Sequence, residues 1–242
     1  MMSERDNIYI SDKVKDIPFA FNEEVTKVFE DMINRSVPGY QSSLKLVREF
    51  GRKYIRPDTN IYDLGCSLGA ATESLLLVPM INNKILAVDN SRHMIRMCEE
   101  RFLKSAENTQ VEFILSDVRE VVLSNASLVI VNYLMQFLAI KERKDLIRII
   151  YESLVDEGAC IISEKIHFKS IMRTNLIRDI HHSFKLENGY SDLEVARKRD
   201  ALDGVLITET EQDHIKRIKS IGFKRVMKIM SNLNFITLLC VK

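Results

Sequence analysis

The chain has 242 residues, 46% of them hydrophobic, which suits one large α/β core better than two small ones. Lys and Arg number 35 against 34 Asp and Glu, and the net charge of +1 leaves no global field to draw nucleic acid or a membrane surface. Four cysteines at 66, 98, 160 and 240 lack Cys-x-x-Cys spacing and partnering histidines, which points to reduced buried thiols in a cytoplasmic protein and away from zinc or disulfides.

Met1 to Ile10 is polar and lacks the apolar centre of a signal peptide, and no apolar run reaches the ~18 residues of a membrane helix. Residues 1–18 read as a mobile arm. Asn22 then reads as the cap of a helix carrying Val25, Val28, Phe29, Met32 and Ile33 at helical spacing, ending near Ser36. A second amphipathic segment with Leu44, Val47 and Phe50 runs to Arg56-Pro57-Asp58, and Tyr40 falls in the connector. These two helices are expected to form a lid on one edge of a ligand pocket.

From Ile61 onward strand and helix patterns alternate, as in a mostly parallel sheet with helices on both faces. The strands are expected at 61–64, 84–89, 111–115, 127–132 and 159–164, with a helix from Lys141 to Leu154 stopped by Asp156-Glu157-Gly158. Residues 168–204 interrupt the alternation as a helical insertion. Ile171, Met172, Leu176, Ile180 and Phe184 form an apolar stripe there, and Ser191-Asp192-Leu193-Glu194 reads as a capping box. Its bases, Arg173, Arg178, Lys185, Arg197, Lys198 and Arg199, read for the most part as a solvated face. Thr208-Glu209-Thr210-Glu211 reads as a second capping box, and 224–230 with 235–241 as an antiparallel hairpin at the sheet edge. No linker divides the chain, so 1–242 reads as one domain, with an arm and lid over 1–58.

Tyr62-Asp63-Leu64-Gly65-Cys66-Ser67-Leu68-Gly69 places a glycine-bearing turn between a strand and a helix, where free backbone N–H groups cradle a nucleotide. The pattern is Asp-x-Gly-x-Ser-x-Gly, not the dinucleotide Gly-x-Gly-x-x-Gly. Ligands of such sheets sit outside the carboxyl ends of the strands. Asp89, 24 positions after Gly65, suits a ribose diol. Asp117 with Val118 suits an adenine, and Asn132 the ligand's amino-acid part. Together they favour adenosine with a cationic sulfur. No Ser/His/Asp, Cys/His or metal-ligand constellation is present, and the five histidines read as surface or core residues.

The turn motif resembles the first motif of the Rossmann-like class I methyltransferase fold, which uses S-adenosyl-L-methionine (SAM). Further stretches carry a more specific resemblance: Val28 through Tyr40, Tyr62 through Thr72, Val88-Asp89-Asn90-Ser91, Gln136-Phe137-Leu138, Ser163-Glu164-Lys165, Asn188-Gly189-Tyr190-Ser191 and Lys198-Arg199. Over nearly its whole length the chain resembles the carboxy-S-adenosyl-L-methionine synthases. That resemblance implies a reaction of SAM with prephenate giving carboxy-S-adenosyl-L-methionine and phenylpyruvate, the product serving a downstream enzyme that modifies the wobble uridine of tRNA. It implies cofactor contacts at Tyr40, Gly65, Cys66, Ser67, Asp89, Asn90, Asp117, Val118 and Asn132. Arg199 is implied as the catalytic clamp on the new carboxylate, for which a guanidinium fork is suited. A homodimer is implied, with Arg199 expected to reach the neighbouring pocket; no metal, membrane or direct nucleic-acid contact is expected. Two alternatives share residues 61–132: a methyltransferase acting on a small molecule or tRNA, and a non-catalytic SAM-binding module. The chain departs from the family pattern in a shorter 78–83 loop, a 228–235 strand without tryptophan, and Tyr133-Leu134-Met135 beside Asn132.

Overall fold

A computed structural model describes residues 4–11, 17–102 and 110–242. Seven strands, β1 (Asn60–Leu64), β2 (Lys84–Asp89), β3 (Val111–Leu115), β4 (Ala126–Asn132), β5 (Leu154–Lys165), β6 (Arg225–Asn232) and β7 (Phe235–Val241), form one sheet in the order β3-β2-β1-β4-β5-β7-β6. Pairing is parallel from β3 through β5, and β7 runs antiparallel to both of its neighbours. The C-terminal hairpin exists, but only β6 forms the edge, since β7 lies between β5 and β6. The reason is in the side chains. Phe-Ile-Thr-Leu-Leu-Cys-Val is buried at every position, as an interior strand requires, whereas β6 is largely exposed.

Eight α-helices accompany the sheet among the described residues: α1 (Glu23–Ser36), α2 (Tyr40–Tyr54), α3 (Ala70–Leu76), α4 (Arg92–Phe102), α5 (Ile140–Ser153), α6 (Ile171–Glu187), α7 (Asp192–Leu202) and α8 (Glu211–Ile221). Alternate residues of each strand feed two cores. Ile61, Ile85, Leu128 and Ile130 pack with Leu44, Val47 and Leu75 of α2 and α3, while Leu64, Val129 and Val131 pack with Ile147, Ile150 and Ile218 of α5 and α8. This is the class I methyltransferase architecture, with α6 and α7 as the helical insertion.

Four expectations need correction. The described part of the N-terminal arm is docked: Asp6 and Tyr9 are buried, and Asp6 accepts hydrogen bonds from the Tyr190 hydroxyl and, at 3.4 Å, from Lys198 Nζ. Residues 1–3 and 12–16 of the expected arm lie outside the described residues. Tyr40 opens α2 rather than lying in a connector, because Gly39, at φ 79°, is the helix cap. The fifth strand starts at Leu154, directly after α5, and the ladder to β4 shifts register between Ala126 and Leu128 to absorb the turn at Glu157 and Gly158. Finally, α8 is capped by the reciprocal pair Thr210 and Asp213, because the two residues before it are held outside the helix: Thr208 Oγ1 lies 3.0 Å from His167 Nδ1, and the Glu209 backbone forms a parallel bridge with Ile166.

Candidate active site

The strand order reverses between β1 and β4, and over their carboxyl ends lies a cavity of about 790 Å3. Its size fits a nucleotide-like ligand with room for a second small molecule. Gly65, Ser67 and Gly69 turn the chain from β1 into α3 with φ of 72°, 48° and 75°. A Cβ on Gly65 would stand 3.0 Å from the Leu134 side chain, and one on Gly69 2.9 Å from the Phe102 ring, so both positions demand glycine on space as well as on angle. Ser67 holds the same left-handed conformation with a side chain, a strain of order 1 kcal/mol. Its backbone N–H donates to Asp89 Oδ2 at 2.9 Å, and Asp89 Oδ1 accepts from the Ser91 N–H at 2.8 Å. Burial pushes the Asp89 carboxyl up, and these backbone donors pull it back. One carboxylate thus fixes the turn and still borders the cavity.

Below the turn, Asp63 is buried and accepts from the Thr72 N–H at 3.1 Å and hydroxyl at 2.7 Å, tying β1 to α3; burial lifts its carboxyl to about 6 against those bonds. The Cys66 thiol is raised well above its usual range by its neighbour Cys98 and by burial, so it is no nucleophile. Asp117 borders the cavity but is clamped: Oδ1 accepts from the Arg119 backbone at 2.9 Å and from Nε at 2.8 Å, and Oδ2 from Nη2 at 2.5 Å. That guanidinium holds the Asp117 carboxyl below the usual range. Val118 is buried next to it. At the end of β4, the Asn132 Oδ1 is buried with no hydrogen-bond partner among the described residues, an acceptor held ready for a donor on a ligand. Tyr40 is buried with its ring centre 6.2 Å from that of Tyr133, and burial raises both hydroxyls, Tyr133 to about 12.

The cavity therefore collects Tyr40, Gly65, Cys66, Ser67, Asp89, Asn90, Asp117, Val118 and Asn132. Arg199 is not among its lining residues. It sits exposed on the last turn of α7, where Nε and Nη2 reach Asp200 Oδ1 at 3.0 and 2.9 Å.

Two groups of lining residues escaped the sequence reading. Phe19 stacks on Phe137 with ring centres 6.5 Å apart, Phe21 meets Phe137 edge-to-face at 5.2 Å, and the three wall the cavity. Lys165, His181, Lys185 and Lys198 line its opposite end. Not all the insertion's bases are a solvated face: Lys198 is buried, Lys185 is half-buried, and Arg197 Nη1 donates to the Tyr9 and Ile10 carbonyls at 3.1 and 2.8 Å. For Arg197 and Lys198 periodicity gave no sign of this because α7 has no dominant apolar face. His181 is buried, its Nε2 2.8 Å from the Ser36 carbonyl, and burial with the adjacent lysines drives its pKa down to about 3. Among the described residues no cluster of three or more His, Cys, Asp or Glu is placed to hold a metal, and no helix is long and apolar enough to cross a membrane.

Known proteins match this arrangement. A methyltransferase domain family matches residues 61–158. The carboxy-S-adenosyl-L-methionine synthase of Shewanella halifaxensis is 40% identical over 243 residues, covering all of both chains. The chain belongs to the carboxy-S-adenosyl-L-methionine synthase family. The family's enzyme from Citrobacter koseri is 38% identical, covering all of this chain and 98% of that one. The fold is shared more widely. A SAM-dependent methyltransferase of Leishmania major superposes with a TM-score of 0.59 at 13% identity over 90% of this chain and 77% of its own. Human N-acetylserotonin methyltransferase in complex with SAM gives 0.53 at 17% identity over 93% and 60%. The chain is thus a transferase of this family, and the Asn132 acceptor and the Asp89 carboxylate at the cavity fit SAM. The turn's N–H groups, expected free, are instead spent within the protein, those of Gly65 and Cys66 on the Val88 carbonyl, that of Ser67 on Asp89 and that of Gly69 on the Cys66 carbonyl.

Proposed function

We propose that the chain, acting as a single domain over 1–242, converts SAM and prephenate into carboxy-S-adenosyl-L-methionine and phenylpyruvate. The observation that carries this reading is the full-length similarity to the family's enzymes, with the family's contact positions gathered around one cavity. In balance, prephenate loses one carboxyl as CO2 and its ring hydroxyl, giving phenylpyruvate. The CO2 ends on the sulfonium methyl carbon, and the displaced methyl proton leaves with the hydroxyl as water. SAM supplies that acidified methyl carbon.

In this reading Asp89 takes the ribose hydroxyls, with Asn90 beside it. Asp117 and the Val118 backbone meet the adenine, with Asp117 shared between the exocyclic amine and Arg119. Gly65, Cys66 and Ser67 offer close backbone approach, and Asn132 Oδ1 accepts from the ligand's ammonium. Tyr40 closes the wall beside it, and Phe19, Phe21 and Phe137 exclude water, which a reaction through free CO2 requires. Arg199 clamps the new carboxylate. Its exposure outside its own cavity supports the homodimer reading, in which it enters the cavity of a second copy. The product would then pass, in the cytoplasm, to the enzyme that modifies tRNA.

The test is mass spectrometry after incubating purified protein with SAM and prephenate. Phenylpyruvate together with a cofactor heavier by CO2 supports the synthase. Unchanged SAM without phenylpyruvate overturns it in favour of a binding module, and S-adenosylhomocysteine formed on an added acceptor in favour of a methyltransferase.

A further inference from the structure

The cavity's volume of about 790 Å3 leaves room beside one nucleotide-like ligand, and the part lined by Lys165 and Lys185 has an unusual charge. Along the sheet, Asp117 follows β3, Asp89 ends β2, Gly65 follows β1 and Asn132 ends β4, so the adenosine-to-amino-acid direction of a ligand runs towards β5. Asn132 pairs with Ser163 of β5, and Lys165 lies two residues beyond on the same face. One strand spacing across and two residues along puts the Lys165 backbone roughly 8 Å past that of Asn132. The next residue back, Glu164, faces the other side of the sheet, where it accepts from the Met135 and Gln136 N–H groups at 2.8 and 3.0 Å, so it does not neutralise Lys165.

Lys185 of α6 completes the pair, and both line the cavity with His181. Lys165 Nζ lies 5.9 Å from the centre of the Phe235 ring, which also meets the His181 ring at 5.1 Å and the Tyr133 ring at 6.1 Å. Lys198, close behind, is already occupied by Asp6 at 3.4 Å and the Ser36 hydroxyl at 3.1 Å. Among the described residues neither Lys165 nor Lys185 has an acidic partner. Desolvation lowers Lys165, and desolvation with the charges of Lys165, Lys198 and Arg199 brings Lys185 down to about 7. Two half-buried amino groups that line the same cavity with no acidic partner among the described residues are costly to hold charged unless a ligand supplies the counter-charge.

We propose that Lys165 and Lys185 form the subsite for a compact dicarboxylate co-substrate, taking its carboxylates from the wall opposite the nucleotide turn. This rests on the synthase reading and deepens it: prephenate carries two carboxylates, and one must be held within reach of the sulfonium end of the cavity. An ammonium pair binds such an anion in the ground state and does no bond-making itself, so its removal acts on substrate affinity first.

The experiment compares Lys165→Gln, Lys185→Gln and Lys185→Arg with wild type, reading phenylpyruvate formation, calorimetric SAM affinity and Tm. Each Gln variant is expected to raise the KM for prephenate tenfold or more, to change kcat less than KM, and to keep the SAM Kd within twofold. The Arg variant is expected to recover most of the loss. Tm should hold or rise, because an unpaired charge is removed. A KM within twofold of wild type in both Gln variants overturns the subsite, and so does a lowered Tm accompanied by lost SAM binding. Wild-type protein that binds SAM yet yields no phenylpyruvate instead sinks the underlying reading. In that case calorimetry with prephenate on the SAM-loaded protein decides the subsite alone: binding lost in the Gln variants supports it, and binding equal to wild type or absent from wild type overturns it.

Discussion

Asp89 has two duties, and substitution separates them. Its two oxygens each accept a backbone N–H of the cavity rim, from Ser67 and Ser91, while the carboxylate borders the space assigned to a ribose. Asp89→Ala is expected to weaken SAM at least tenfold, about 1.4 kcal/mol, by calorimetry. It should also destabilise the apo protein by about 1–3 kcal/mol through the two abandoned donors, read by denaturant melting. Asp89→Asn retains one acceptor and should fall between. His181 supplies a pH prediction. Its folded pKa of about 3 lies below the ordinary 6.5, so the unfolded chain binds the proton more readily. The contribution is complete above pH 6.5 and shrinks as pH falls from there towards 3, by about 1.4 kcal/mol per unit at most. His181→Asn should flatten that slope in apo protein, and a slope identical to wild type would count against it. The residues legible in the sequence were those whose chemistry is local, such as the turn glycines and Asp89. Lys165 and Lys185 were not, because a lysine beside an apolar strand or on a polar helix has no local signal of where its ammonium ends.

At the scale of elements, the segment after β4 shapes the cavity wall and is held by buried charge. Arg143 of α5, fully buried, donates through Nε at 3.1 Å and Nη2 at 2.9 Å to the Leu138 carbonyl, through Nη2 to the Ile207 carbonyl at 2.7 Å, and through Nη1 to Glu209 at 2.6 Å. Glu164 holds the same segment from β5. Glu209→Ala leaves Arg143 buried without its counter-charge and is expected to cost about 3–5 kcal/mol, seen as a lowered denaturation midpoint. Because Arg143 steadies the backbone carrying Phe137, SAM affinity should fall with it. A variant as stable as wild type would show that Arg143 is satisfied by its carbonyl partners alone. The expected cap of α8 slipped by two residues for a tertiary reason as well: Thr208–Glu211 and Thr210–Asp213 fit the same short pattern, and the contacts of Thr208 with His167 and of the Glu209 backbone with Ile166 and His167 decide between them. Strand spans came through well by contrast. Continuous apolar runs such as 84–89 and 111–115 are bounded by polar turns, and a parallel sheet buried on both faces leaves little freedom in where they begin. The place of β7 inside the sheet was readable in an apolar run broken only by Thr237.

For the whole molecule, α6 presents Ile171, Met172, Leu176 and Ile180 at exposures of 73%, 77%, 58% and 43%, an apolar stripe that periodicity found and the described residues do not cover. Arg199 sits on the neighbouring helix, also outside its own cavity. Both facts are accounted for if two copies meet through the insertion and each lends its Arg199 to the other. Leu176→Glu with Ile180→Glu should then yield monomers by sedimentation, with SAM still bound and carboxylation lost. Arg199→Ala should abolish carboxylation while keeping SAM affinity within about tenfold, roughly 1.4 kcal/mol. The decisive step is to mix subunits. At a SAM concentration where Asp89→Ala and Arg199→Ala proteins are each inactive, co-refolding them in equal amounts forms mixed dimers in half the cases. In a two-fold dimer with exchanged arginines, one site of each mixed pair joins an intact cavity to an intact Arg199, restoring about a quarter of wild-type activity. If Arg199 serves its own cavity, every site in the mixture lacks one component and no activity returns.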